Sequence, residues 1–290
     1  MPKRFNFIFN SEFWRLLSFA VLGGVLFWPA LREMFATWMA DSNNSHGLLV
    51  PVISAYIVRE KMRNRAEVFQ PGNSQTDKKN TVGLVILSLC LIGYIISQLT
   101  DIGVLRNLTF VGSIHGIMLF CYGWPMYATL WFPLYFLFFM VPVPTSIYSI
   151  AALPMQLFAT RISVLVFGLT PLNVSAVGNI ISIDGEMLTV AEACSGLRSL
   201  MSFIILSLLF AYRTRISYLK KTIIIASAVP IAIVGNIVRI VFTGFIAYLY
   251  GAEIATGFIH DASGYIMFAA AFLVFFFFSR ALGHGTAKDH

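Results

Sequence analysis

Residues 222–248 read TIIIASAVPIAIVGNIVRIVFTGFIAY, and Arg239 is the one charged residue in the run. About 20 apolar residues cross a bilayer as a helix, so this stretch is long enough to span. The rest of the chain has the same character: 58% of its 290 residues are hydrophobic, 11% are charged, and the mean hydropathy is +0.80. Soluble domains carry about 25% charged residues. The composition therefore specifies an all-α polytopic membrane protein. Seven further apolar runs, near 14–31, 47–58, 82–99, 108–122, 126–141, 197–212 and 264–278, bring the expected number of transmembrane helices to eight.

The basic residues orient these spans. Lys3 and Arg4 precede the first; Arg59, Lys61, Arg63, Arg65, Lys78 and Lys79 follow the second. Arg213, Arg215, Lys220 and Lys221 follow the sixth, and Arg280 and Lys288 follow the last. Alternating spans put all four clusters on one side, which the positive-inside rule makes cytoplasmic together with both termini. That rule accounts for the net charge of +7 without nucleic acid. The opening MPKRFNFIFNSEFWRLL has no small-residue cleavage site and reads as a retained first helix.

The opposite, outer face then receives residues 41–46, 100–103, 142–193 and 251–263. Residues 147–170 are apolar enough to cross, but crossing would move the Arg213–Lys221 cluster outside. With Arg161 in its middle, this segment is expected as an amphipathic helix in the outer interface. The following PLNVSAVGNIISIDGEMLTV carries turn signals at Gly178-Asn179 and Asp184-Gly185 with β-branched residues between, the pattern of a small hairpin. The expected organisation is a single domain over 1–290, with a cytoplasmic loop at 59–80, an extracytoplasmic or interfacial segment at 142–193 and a tail at 281–290.

The hairpin delivers the chain to VAEACSGLRSL at 190–200. Cys90 and Cys121 lie inside apolar runs and read as packing; Cys194 lies at the mouth of a span. If the helix has begun by Cys194, Arg198 shares its face one turn on, and both the helix N-terminus and the guanidinium favour a thiolate. A charge inside a bilayer usually faces a cavity or a partner. Arg239, with Asn236 one turn earlier, is thus either a functional cation or a structural one paired with a carboxylate or carbonyls. His260, beside Asp261 and on the outer face, is a general acid–base candidate. His46 reads as a substrate-positioning or loop residue, and His115 as the donor or acceptor of a helix–helix hydrogen bond. Glu192, Asp184 and Glu186 are near enough to Cys194 in sequence to orient a histidine or arginine.

Cys194, His260 and Arg239 together supply the parts of acyl transfer by a thiol. A zinc site from Cys194, His46 and His260 lacks paired-ligand spacing, and Ser195 lacks a nucleophile-elbow sequence. No metal and no cofactor is expected. A lipid or glycan transporter or assembly factor, and a purely hydrolytic membrane protease, are the competing functional readings.

ACSGLRS within 190–200, NIVRI at 236–240 and a histidine before the last span resemble the exosortase/archaeosortase family of polytopic membrane cysteine transpeptidases. SHGLLVP at 45–51 and VPVP at 141–144 are similar to that family's outer-face motifs, so the likeness covers nearly the whole chain, in single-domain form. The resemblance implies Cys194 as nucleophile with Arg239 and His260 as partners, and Arg198, His46, Asn236, Glu192 and Asp261 in supporting places. It implies partners too: the lipid bilayer, and exported proteins whose C-terminal sorting tails, typified by PEP-CTERM, join a short motif to an apolar span and a basic cluster. The acyl-enzyme would pass to an amine acceptor linked to polysaccharide or lipid, at the outer face of a bacterial inner membrane.

Overall fold

The computed structural model describes Ser18 and residues 21–64, 80–190, 196–251, 254–255 and 258–284. The chain divides into two compact units, Met1–Val143 and Pro144–His290.

The first unit contains α1 (Trp28–Ala40), a 3-10 turn (Ser45–Leu48), α2 (Leu49–Asn64), α3 (Asn80–Thr100), α4 (Gly103–Thr129) and α5 (Trp131–Phe136), which continues as a 3-10 turn over Leu137–Met140. Helices α3 and α4 form its closest pair. Small residues allow this: a Cβ on Gly83 would lie 2.3 Å from the Phe120 backbone nitrogen, and one on Gly116 would lie 2.7 Å from that of Leu87. The pair is braced near its connecting turn by an ion pair between Arg106 and Glu33 of α1.

Helix α4 kinks at Gly123, whose φ of 70° and ψ of −176° are open to glycine, just before Pro125. The kink brings Tyr127 and Leu134 back onto His115, whose ring nitrogens meet the Tyr127 hydroxyl at 2.9 Å and the Leu134 carbonyl at 3.1 Å. His115 is thus held by hydrogen bonds, as expected. The expected boundary between spans at 122–126 falls inside α4, and the apolar helix after it, Trp131–Met140, is short. Its ten residues rise only about 15 Å at helical pitch.

The second unit runs α6 (Thr145–Phe167), β1 (Val174–Val177), β2 (Ile180–Ile183), β3 (Glu186–Thr189), α7 (Leu197–Arg213), α8 (Tyr218–Tyr250) and α9 (Phe258–His284). The expected hairpin is a three-stranded antiparallel meander in the order β1-β2-β3. Its turns are those read from sequence: Gly178 (φ 63°) opens the first, and Asp184 (φ 47°) with Gly185 (φ 97°) makes the second. The Asp184 carboxylate also accepts the Asn173 N–H at 3.0 Å, fixing that corner. Alternation puts Ile181, Ile183 and Leu188 on the buried face. There they join Phe167 of α6 and Ile240 of α8 in one core cluster or lie against it.

Among the described residues five helices are long and apolar enough to cross a membrane: Thr81–Thr100, Gly103–Thr129, Thr145–Phe167, Tyr218–Tyr250 and Gly264–Leu282. The chain is a mostly helical, polytopic integral membrane protein. Residues 145–167 meet the length and apolarity of a span, although their sequence leads to the expectation of an interfacial helix. Their Arg161 is exposed, and their buried face carries Ala152, Gln156, Ala159, Ser163 and Phe167. α6 runs alongside α8 from near Val229 and Ile233, with which it lines a cleft, to Gly244, where Phe167 packs. Helix α9 continues through His284, four residues into the expected tail.

Candidate active site

The nucleophile candidate sits in a segment, residues 191–195, that lies outside the described residues, as does Glu192. Just past this segment the chain turns at Gly196, which adopts φ 78° and ψ −4° immediately before α7 begins at Leu197. The helix is described from Leu197 on, and the one-turn relation expected between Cys194 and Arg198 involves a residue outside the described ones. Arg198, second residue of α7, is exposed.

Gly196 is in glycine's own conformational region, and its surroundings need the missing side chain as well. A Cβ there would lie 3.0 Å from both Cβ and Cγ of Asn236 on α8. Asn236 is buried, and its Oδ1 accepts a 3.1 Å hydrogen bond from Nη2 of Arg239, one turn further along the same helix. The half-buried Arg239 in turn lies against α9: a Cβ on Gly264 would be 3.5 Å from its Nη1. Gly264 is four residues after His260, so the two share one face of α9. Side chains of His260 and Asp261 lie outside the described residues; their backbone belongs to α9.

Thus the backbone two residues past Cys194, the Asn236–Arg239 pair and the first turns of the helix bearing His260 converge within one unit. Close packing makes this possible, since Gly235 of α8 sits 3.4 Å, measured from a built Cβ, from the Ala271 methyl of α9. Ser199, Asn236, Arg239 and Gly264 line a cavity of about 20 Å³, walled otherwise by Phe203, Phe268 and other apolar groups. That volume admits about one water. Ser199 carries no signal in the sequence although ACSGLRS contains it, because its five-residue offset from Cys194 matches no helical face. Gly264 is equally silent there, although a glycine one turn after a candidate histidine is a signal for close approach.

On another side of Asn236 opens an apolar cleft of about 370 Å³ between α6, α7 and α8, lined by Met155, Phe158, Leu200, Val229 and Ile233. Its size falls within the range of small-ligand sites. Asn236 is its polar end.

His46 belongs to the first unit. It forms hydrogen bonds with the backbone at Asn43 and Phe139; burial pulls its pKa below the usual imidazole value, against the opposing pull of those two bonds and of Asp41. Around it Asn44 Nδ2 donates to Asp41 at 2.7 Å, Asn44 Oδ1 accepts the Val143 N–H at 3.0 Å, and Trp38 Nε1 donates to the Met140 carbonyl at 2.9 Å. The SHGLLVP and VPVP segments are therefore parts of one clasp. Gly47 lies beneath the Trp38 indole, where a Cβ would approach Nε1 to 2.2 Å. Among the described residues no three His, Cys, Asp or Glu side chains gather as metal ligands.

No curated protein and no solved structure matches the chain. The sequence profile of the transmembrane exosortase matches residues 38–277, which include the clasp, the cavity and both faces of the Asn236–Arg239 pair. The chain belongs to the transmembrane exosortase family.

Proposed function

We propose that this protein is a membrane cysteine transpeptidase that removes C-terminal sorting tails from exported proteins at the outer face of a bacterial inner membrane. The observation that carries the reading is the chain of contacts from Gly196 through Asn236 and Arg239 to Gly264. It ties the segment bearing Cys194 to a bilayer-embedded cation and to the helix of His260.

In this reaction the Cys194 thiolate attacks the scissile carbonyl carbon, and the peptide oxygen takes up the negative charge. Arg239 favours the thiolate and stabilises the oxyanion. As the C–N bond breaks, His260 gives its proton to the leaving amine, leaving a thioester. An acceptor amine then attacks the thioester, yields its proton to His260, and frees the thiolate. Asp261 and Glu192 are the carboxylates available to orient the histidine, and Arg198 lies at the entrance on α7.

The apolar cleft below Asn236 supports a tail whose residues after the scissile bond enter the bilayer, since it runs along α8 from Asn236 toward Val229, the direction of the Lys220–Lys221 end. The outer-face location rests on the basic clusters. The test is processing of a co-expressed tailed reporter. Cys194→Ala should abolish cleavage with the enzyme still inserted; undiminished cleavage would sink the assignment.

A further inference from the structure

The meander that precedes Cys194 ends on an open edge. Val190 N–H donates to the Asn179 carbonyl at 2.8 Å, and Asn179 Nδ2 returns a 3.1 Å bond to the Val190 carbonyl. Antiparallel ladders alternate. Counting back along the β2–β3 register, Leu188 and Glu186 therefore turn their backbone groups toward Ile181 and Ile183. Met187 and Thr189 turn theirs away from β2. Among the described residues no strand pairs with that side.

Natural edge strands are commonly blunted by lysine, proline or a bulge. β3 reads EMLT: it is short and opens on the charged Glu186, but it has no lysine, proline or bulge, and Met187 is 70% exposed. The strand is nevertheless firmly seated. Its Leu188 is 4% exposed, its cross-strand partner Ile181 is fully buried, and Val190 just beyond it shares a core cluster with Ile240, the residue after Arg239. From Thr189, five residues of chain lead to Cys194, a reach of at most about 17 Å. A firmly seated row of main-chain donors and acceptors thus ends against Ile240, the residue after Arg239, and in sequence it leads on to Cys194.

We propose that the free edge of β3 binds the extended recognition segment of the exported substrate as a fourth strand. The N–H and C=O of Met187 and Thr189 pair with the peptide main chain and present its scissile carbonyl to Cys194. The inference rests on the peptidase reading above and adds how the substrate is held. The occupant is an extended peptide rather than a lipid, because only a main chain offers donors and acceptors at strand spacing. Its continuity with the Cys194 segment selects the substrate over a second copy of the enzyme.

The experiment uses the full-length enzyme in cell membranes with a reporter ending in a Pro-Glu-Pro motif, an apolar span and a basic cluster. Met187→Pro and Thr189→Pro each remove an outward N–H without touching the β2 ladder, a position where strands accept proline. Both should lower processing about tenfold or more, while Met187→Ala and Thr189→Ala stay within about twofold. Labelling of Cys194 by a membrane-impermeant maleimide, unchanged from the parent, reports that the fold is intact. As a measure independent of the proline variants, p-benzoylphenylalanine at position 187 should photocrosslink to the reporter. Parent-like processing by the proline variants, equal losses in the alanine variants, or crosslinks to a second enzyme chain without any to the reporter would overturn the proposal. Cys194→Ala separates the two levels: cleavage persisting in that variant removes the peptidase reading itself, whereas its loss alongside active proline variants removes only the role of β3.

Discussion

Asn236 does two jobs with one amide. Its Oδ1 holds the Arg239 guanidinium, and its Cβ and Cγ fill the space that Gly196 leaves. Loss of a hydrogen bond to a charged group costs about 1.5–3 kcal/mol, so Asn236→Ala should lower reporter processing roughly 10- to 100-fold. Asn236→Asp keeps the acceptor and should retain most of it, whereas Asn236→Leu fills the space without an acceptor and should lose processing as the alanine variant does, which a purely space-filling role would not explain. Gly196→Ala meets both a left-handed backbone, worth about 1–2 kcal/mol, and the Asn236 side chain. Its cleavage should fall below that of Ser199→Ala, measured in the same membranes. The arginine and asparagine are legible as a pair from their one-turn spacing. Gly196 is not, because a glycine's φ is invisible in sequence. The Arg106–Glu33 pair is hidden for another reason, since its partners lie 73 residues apart.

His46 gives a pH-dependent test at the same scale. Its pKa in the folded clasp lies below the unfolded value, mainly through burial. Above the usual value of about 6.5 both states are neutral and the clasp loses nothing. As pH falls below that, the unfolded chain takes up the proton first, so stability declines until the folded state also protonates. Thermal unfolding in detergent should therefore show the parent losing stability between neutral and mildly acidic pH by more than His46→Gln does. An identical acid dependence in the two proteins would place the titration elsewhere.

Among the elements, the small sheet depends on one close approach. A Cβ at Gly244 of α8 would lie 2.5 Å from Phe167 Cζ and 3.0 Å from Ile183 Cδ1. Overpacking of this kind costs about 1–3 kcal/mol. Gly244→Leu should lift the sheet from the helices, seen as faster proteolysis within residues 171–190 and reduced processing, with membrane insertion unchanged. The strands themselves are readable because their turn residues stand at the two corners, each with a positive φ at Gly178, Asp184 or Gly185. That there are three strands rather than two comes from a second turn within a short segment. The helix boundaries near 123 and 131 are harder. Tyr122-Gly-Trp-Pro reads as a loop, yet the backbone turns at Gly123 alone and helix resumes at once through Pro125 to Thr129. Apolar composition is blind to such a kink, since hydropathy is the same on either side.

At the scale of the whole molecule, composition alone establishes a polytopic membrane protein, and five of its helices have the length and apolarity of spans among the described residues. Orientation rests on the basic clusters. With Cys90 and Cys121 replaced by alanine, Cys194 should react with an impermeant maleimide added from outside intact cells, and a cysteine placed at Lys79 should not. The clasp of the first unit, built from the motifs at 45–51 and 141–144, shows why short segments far apart in sequence belong to one family pattern: Asn44 and Val143 are joined directly. Thioester chemistry at Cys194 is the central claim, and its most direct test is mass spectrometry of the C-terminus of the tailed reporter, recovered from cells holding equal amounts of parent enzyme or Cys194→Ala. The prediction is a shortened C-terminus at the motif, joined to an amine, with the parent, and only the intact tail with Cys194→Ala; the same shortened product from both would contradict it.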